Sequence, residues 1–369
     1  MNTDLTYQLA LTLIPGVGSI TAKQLIAYCG NAETVLTSPA KALLRIPDVG
    51  TALCSAIDAS KHAALNRAKQ ELEFMAKNGV QAFSFLDKRY PERLRNCEDS
   101  PLILYAKGST DLNAPKVISI VGTRNATAYG RQQCENLVRD LAGQYAPLVV
   151  SGLAFGVDVC AHRAALAHGL PTVAVMGHGL DMVYPAQHLN VAREMLQQGG
   201  ALLSDFTSKC RMDPSNFVKR NRIVAGMADA TIVVESAEKG GALITADMAF
   251  GYSRDVMAFP GRVGDKASAG CLKLIKANKA ALIENAADVA YLLSWDVPRK
   301  QPVQQSLFLP ELPDDEKTLL NFLSTTEAQS IDIICRSTGL AMPKVSSALL
   351  NLEFSGLVKA LPGKTFLKT

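Results

Sequence analysis

The 369-residue sequence predicts an α/β protein built on a doubly wound parallel sheet, with a helical domain before it and a small helix-and-hairpin domain after it. Three observations predict this. Between residues 115 and 285, short β-rich runs alternate with helix-length segments. Each run is continuously apolar, as strands buried on both faces of a parallel sheet are. Finally, DVPRKQPVQQSLFLPELP, 296–313, holds four prolines and no sustained helical period. Proline removes backbone donors and biases its predecessor toward extended conformations, so this stretch reads as a linker.

Residues 1–75 contain two similar units, LIPGVGSITAKQLIAYCG and RIPDVGTALCSAI. Each sets Ile-Pro-x-Val-Gly before a helix of apolar period. The glycine allows a tight turn and lets helix amides approach a partner. The units resemble helix-hairpin-helix motifs, which can hold a DNA phosphate, but residues 1–75 carry 6 basic and 6 acidic side chains, so turns of a small helical domain are the favoured reading. A boundary is expected near residue 76, giving a sheet domain over 76–295.

Within that domain the expected strands are VISIV (117–121), PLVVS (147–151), TVAVM (172–176), ALLS (201–204), TIVVE (231–235), VMAF (256–259) and ALIE (281–284). Intervening segments such as YGRQQCENLVRDLAGQY have helical periodicity. Such repetition implies right-handed crossovers in one sheet. Beyond the linker, 314–369 reads as helices over 314–323, 330–337 and 343–355, followed by a two-stranded wing, LVKALPGKTFLKT. This is a winged helix-turn-helix. Its third helix carries one Lys, one Glu and no Arg, poor equipment for phosphates or guanine edges, so protein contact or packing is the favoured role.

Composition narrows the function. A 48% hydrophobic, 20% charged chain can bury a core. No apolar run approaches the ~20 residues that cross a bilayer, and the N-terminus lacks secretory features, so a soluble cytoplasmic protein is expected. The eight cysteines form no C-x-x-C, which fits neither zinc nor a small disulfide framework; free thiols are expected. The net charge of +4 lies wholly in 76–295, with 24 basic and 20 acidic residues there.

Candidate chemistry sits at strand ends, where open α/β sheets bind ligands. After the first strand, Gly122 permits close approach, Thr123 offers a hydroxyl and Arg124 a guanidinium, ahead of a helix capped by Thr127. This is not G-x-G-x-x-G, and no acidic residue ends the second strand, so NAD is not expected. Ser151-Gly152 ends the second strand, followed by Asp158 and His162, whose spacing of four suits a pairing that orients the loop. His178 lies in a glycine-rich turn, open to a ligand-loop or a plain-turn reading. NFVKRNRIVAG carries Lys219, Arg220 and Arg222 around Asn221, after Phe217. Cations interleaved with an aromatic suit single-stranded nucleic acid. At helical spacing the three cannot all face one way, so one is expected to pair internally. Gly240-Gly241 opens a helix, a further phosphate-binding geometry, and Glu235 is the best-placed catalytic carboxylate, though it lacks an evident partner.

In order, GTRNATAYG, VSGLAFGVDVCAHRAAL, GHGLDMVYP, FVKRNRIVAG, GGALITADMAF, FPGR and AGCLKLIKANKA resemble the motifs of the DNA-processing protein A family, DprA or Smf. The resemblance covers about residues 85–290, and the flanks are similar to members with a helix-hairpin-helix-like domain and a winged helix. It implies a Rossmann-like domain in a cytoplasmic bacterial protein that is not an enzyme, needs no cofactor and binds single-stranded DNA. Members protect incoming DNA during natural transformation, load the recombinase RecA onto it, and act as homodimers. Carried onto matching positions, the DNA pocket would use Gly122, Thr123, Arg124, Ser151, Gly152, Phe217, Lys219, Arg220, Asn221, Arg222, Gly240, Gly241 and Thr245. Asp205 stands where a Glu is usual, and Lys239-Gly240-Gly241 replaces a Ser-Gly-Ser. The competing expectation is a Rossmann-like nucleotide phosphoribohydrolase, which would place Gly-Gly and Thr on a helix N-terminus beside a catalytic Glu. KGGALITAD lacks that group's usual P-G-G-x-G-T.

Overall fold

A computed structural model describes residues 3–295, 312–324, 328–361 and 364–368. The chain forms two compact units, Met1–Asp296 and Val297–Thr369. The first opens with helices α1 (Thr3–Thr12), α2 (Ser19–Cys29), α3 (Ala32–Thr37), α4 (Ala40–Leu43) and α5 (Thr51–Asn78). In the two repeated units Ile14, Val17, Ile46 and Val49 are buried while the prolines between them are exposed. The motif therefore anchors a turn through its apolar residues. The residue after each proline is left-handed, Gly16 at φ 83° and Asp48 at φ 61°. Aspartate is among the few non-glycine types that adopt this conformation at modest cost. Both following helices start at a glycine, Gly18 and Gly50, with no side-chain cap. The expected step near residue 76 falls inside α5. The helical region and the sheet share a core, in which Leu9, Leu25 and Ile57 cluster with Leu102, Ile103 and Tyr105.

The sheet follows: β1 (Gln81–Ser84), α6 (Glu92–Arg95), β2 (Ile103–Gly108), β3 (Val117–Val121), α7 (Ala128–Gln144), β4 (Leu148–Ser151), α8 (Val157–Ala167), β5 (Thr172–Val175), α9 (Leu189–Gln197), β6 (Ala201–Ser204), α10 (Pro214–Gly226), β7 (Ala230–Val233), α11 (Gly241–Gly251), β8 (Asp255–Ala258), α12 (Ala269–Lys276), β9 (Ala281–Leu282) and α13 (Ala286–Leu292). Strand order is β1-β2-β6-β5-β4-β3-β7-β8-β9. The seven strands from β3 to β9 are parallel and match the seven apolar runs. Every residue of β3 to β7 is buried, which explains why those runs show no polar alternation. The antiparallel pair β1 and β2 extends one edge by joining β6.

The second unit holds α14 (Asp314–Phe322), β10 (Gln329–Ser330), α15 (Ile331–Thr338), α16 (Met342–Phe354), β11 (Val358–Leu361) and β12 (Thr365–Lys368). The wing is the hairpin of β11 and β12, and β10 adds a third strand to it. Leu319, Ile334, Val345, Leu349 and Leu352 form its core. Most of the expected linker, 296–311, lies outside the described residues.

Candidate nucleic-acid interface

The strand order reverses at β3, with β4, β5 and β6 on one side and β7, β8 and β9 on the other. A crevice opens at the carboxyl ends of strands at such a switch point. Helices α7, α8 and α11 follow β3, β4 and β7, so their N-termini, the positive ends of their dipoles, all meet this edge.

The loop after β3 is held from both sides. Thr123 N–H donates to the carbonyl of Glu235 (2.7 Å), and the carbonyl of Thr123 accepts from Val157 N–H (3.2 Å). Gly122 sits half-buried against the side chain of Val157, and a Cβ there would collide with it. Gly156, at φ 77°, lets α8 start against the backbone of Thr123 and Arg124, where any side chain would clash. With its backbone so fixed, Arg124 projects outward. It is exposed and makes no hydrogen bond or ion pair among the described residues. Thr127 caps α7, its hydroxyl accepting from Gly130 N–H (3.1 Å).

Glu235 serves this same loop. It is buried, and its carboxylate accepts from Thr127 N–H (2.8 Å) and from the Thr127 hydroxyl (2.7 Å). Both oxygens thus hold the start of α7 in place. The carboxylate that looked available for catalysis is engaged in the fold; its partner lies more than a hundred residues away and leaves no sequence signal.

Around β4 the polar groups are also spoken for. The Ser151 hydroxyl donates to the carbonyl of Ile120 (2.6 Å). Gly152 is buried under the guanidinium of Arg220, which occupies the space a Cβ would need. Arg220 itself is buried and donates to the carbonyl of Val175. Asp158 faces it: burial pushes this carboxyl above its ordinary range, and Arg220 draws it back down. The expected Asp158–His162 pairing is not the one formed. His162 Nδ1 lies 2.7 Å from Thr172 Oγ1, whose own proton goes to the carbonyl of Val149 (2.9 Å). The ring must therefore donate from Nδ1, and burial, reinforced by the charge of Arg220, lowers its pKa to about 3. His178 is likewise buried inside its turn. It contacts the carbonyl of Gly179 through Nδ1 (2.8 Å) and receives Tyr184 N–H at Nε2 (3.2 Å). Burial lowers its pKa too.

The basic cluster lies in α10, which starts at Asp213, whose side chain caps Ser215 N–H (2.8 Å), with Pro214 in the first turn. Helical geometry separates its cations. Lys219 is exposed. Arg222 pairs with Asp205 (2.5 Å) and donates to the carbonyl of Asp99. Burial raises the pKa of Asp205, and Arg222 counteracts this. Arg220, as above, points inward. Asn221 is half-buried on the same helix. Phe217 packs on Gly177 and meets the ring of Tyr184, with centroids 5.7 Å apart. On the other side of β3, Gly240 begins α11 without a side-chain cap, Gly241 is exposed with open space about it, and Thr245 is buried. Gly122, Thr123, Arg124, Ser151, Gly152 and Gly240 thus stand at strand ends or on the loops that follow them, at the carboxyl edge. Arg220 and Phe217 meet the end of β5 from α10.

Sequence reasoning did not single out Tyr184, 49% exposed beside Phe217, nor Phe155, Arg131 and Arg163 beside the Arg124 loop. An aromatic just before Pro185 in a glycine-rich loop was the available signal for Tyr184. Arg131 and Arg163 lie on helices far apart in sequence and offered none.

Residues 81–294 match the family model of the DNA recombination-mediator protein A. The chain belongs to the DNA-processing protein A family. Residues 304–364 match the DprA winged helix domain. The chain is 35% identical to a DprA protein of Mycobacterium tuberculosis over 319 residues, 81% of this chain and 80% of that one. With the Smf protein of Escherichia coli it shares 32% identity over 281 residues, 74% of each chain. The crystal structure of DprA from Streptococcus pneumoniae superposes with a TM-score of 0.63 at 28% identity, covering 78% of this chain and 97% of that one. A DprA structure from Helicobacter pylori, described for its single-stranded DNA binding mode, gives 0.53 at 29% identity, over 59% and 96%. Membership in the DprA family accounts for the ordered motifs and for the Rossmann-like domain followed by a winged helix. No helix among the described residues is long and apolar enough to cross a membrane.

Proposed function

We propose that the crevice at β3 binds single-stranded DNA, and that the protein protects incoming strands and loads RecA on them during natural transformation. It would do so in the cytoplasm, as a homodimer, by binding rather than catalysis and without a cofactor. One observation carries the reading. Arg124 is exposed, without a partner among the described residues, and set by a fixed backbone between the N-termini of α7 and α8. A guanidinium and helix amides converging on one place suit a phosphate. Lys219 adds a second exposed cation, and the Phe217–Tyr184 pair an aromatic platform for a base. Gly122, Thr123, Gly240, Gly241 and Thr245 shape the phosphate side. Ser151, Gly152, Arg220, Asn221 and Arg222 would set the floor of the crevice, Arg220 and Arg222 acting from inside through Val175 and Asp205. The described binding of single strands by the Helicobacter pylori relative supports the same reading.

The engagement of Glu235 with Thr127 speaks against the phosphoribohydrolase alternative, which needs a free acid. A mobility-shift titration of labelled single and double strands, with and without RecA, tests the proposal. The expected result is tight binding of single strands, weak sequence dependence, and a ternary species with RecA. Equal affinity for duplex, or release of base from nucleoside monophosphates, would overturn it.

A further inference from the structure

A cleft of about 530 Å3 lies between α7 and α8, immediately behind the Arg124 loop. That is within the roughly 300–1,000 Å3 of sites that enclose one small ligand. Arg124 lines it from the loop after β3, Arg131 comes from α7 and Arg163 from α8. Arg131 donates to the carbonyl of Ala126 (2.5 Å); Arg163 is exposed and has no partner among the described residues. Among the described residues Glu135 is the one carboxylate lining the cleft, so three guanidinium charges stand against one acid. Phe155, from the loop after β4, forms part of the wall and is 44% exposed. Its ring is held edge-on to His188, centroids 4.9 Å apart, and His188 is in turn buried against the carbonyl of Leu153 (2.8 Å). Phe155 thus presents a held, partly solvent-facing ring beside the exposed guanidinium groups of Arg124 and Arg163.

We propose that this cleft is a second nucleotide subsite, holding the phosphate of the next nucleotide between Arg131 and Arg163 and its base against Phe155. Arg124 is shared by the crevice and the cleft, so the strand bends around it and passes between α7 and α8. This extension rests on the crevice reading above. It assigns the cleft to a phosphate-bearing nucleotide; the net positive lining excludes an acidic wall for basic ligands, and the aromatic favours a base over inorganic anion alone.

The test is fluorescence anisotropy with labelled oligothymidylates of graded length, from about four to about twelve nucleotides, on the full chain. Four proteins are compared: wild type, Arg131→Ala/Arg163→Ala, Arg163→Ala alone, and Phe155→Leu. The double variant is expected to lose about tenfold or more on long strands while short strands bind as before. Its salt slope should fall by about 0.7 for each phosphate contact removed. Phe155→Leu should lose about tenfold on long strands only, the loss of one base stack. Arg163→Ala keeps the test valid if losing the Arg131 contact with Ala126 disturbs α7, because Arg163 has no such contact. Wild-type affinity at every length in all three variants overturns the subsite, as does an equal loss at short and long lengths. Free thymidine monophosphate competing as well as the long strand would assign the cleft to loose nucleotides and overturn it too. Failure of the crevice reading is distinguishable: the wild type would then show no single-strand binding, or Arg124→Ala would bind like wild type whatever the cleft does.

Discussion

Arg124 owes its role to what it lacks. Its neighbours Thr123 and Val157 use the backbone, and no acid among the described residues reaches its guanidinium. Arg124→Ala should therefore cost a charge-assisted hydrogen bond, about 1.5–3 kcal/mol, or one to two decades in single-strand affinity. Arg124→Lys should recover only part, since an ammonium cannot form the planar two-toothed contact. Thermal unfolding should barely move, and a matching loss of stability would make Arg124 a structural residue instead. His162 is the opposite kind of residue, wholly inside. Its pKa is lowered to about 3 in the fold, against an ordinary 6.5 in the unfolded chain. Between those values the unfolded chain binds a proton that the folded chain refuses. Stability should thus rise with pH from about 3 to about 6.5, and be lost on acidification at up to about 1.4 kcal/mol per pH unit. Denaturant unfolding at about pH 4 and about pH 6 reads this directly. His162→Gln, which carries no titrating group, should show a shallower slope than wild type; equal slopes would refute the assignment.

At the scale of the element, α10 shows how one helix divides similar residues among different tasks. At 3.6 residues per turn, positions 219, 220 and 222 point in three directions. Lys219→Ala should weaken single-strand binding and reduce the salt slope by roughly 0.7 while leaving the melting temperature unchanged. Arg222→Ala should behave differently. Asp205 and Arg222 are both largely buried, with side chains 10% and 14% exposed. Removing the cation leaves a buried carboxylate unpaired, which costs roughly 3–5 kcal/mol. Calorimetry on the two variants separates the roles, and a stable Arg222→Ala that still loses DNA would reverse this division. The expectation that one cation of the cluster pairs internally was legible from helical spacing. That two of the three turn inward was not: Arg222 is met by Asp205 from the end of β6 and Arg220 by the carbonyl of Val175 beside Asp158 of α8, and none of these is marked in sequence as a partner.

For the whole molecule, the two compact units predict that a chain ending at residue 296 folds alone and keeps most of its single-strand affinity. The winged-helix segment 314–369 carries 6 basic and 6 acidic residues, too balanced to draw phosphates by long-range attraction. A folded truncation that had lost single-strand binding would place the interface elsewhere. The architecture itself was readable because its signals are local. Seven apolar runs became the seven parallel strands β3–β9, and the helices and wing of the second unit fall within a residue or two of their expected spans. Burial on both faces writes itself into a strand as continuous hydrophobicity, and a helix writes its period into its own residues. The site is different in kind. That Glu235 would clamp Thr127, that Arg220 would fill the space over Gly152, and that Arg131, Arg163 and Phe155 would line one cleft depends on segments remote in sequence meeting at the carboxyl edge. A charge is available to a ligand only if no group in the fold has claimed it, and that contest is settled by packing between distant segments rather than by the residues beside it.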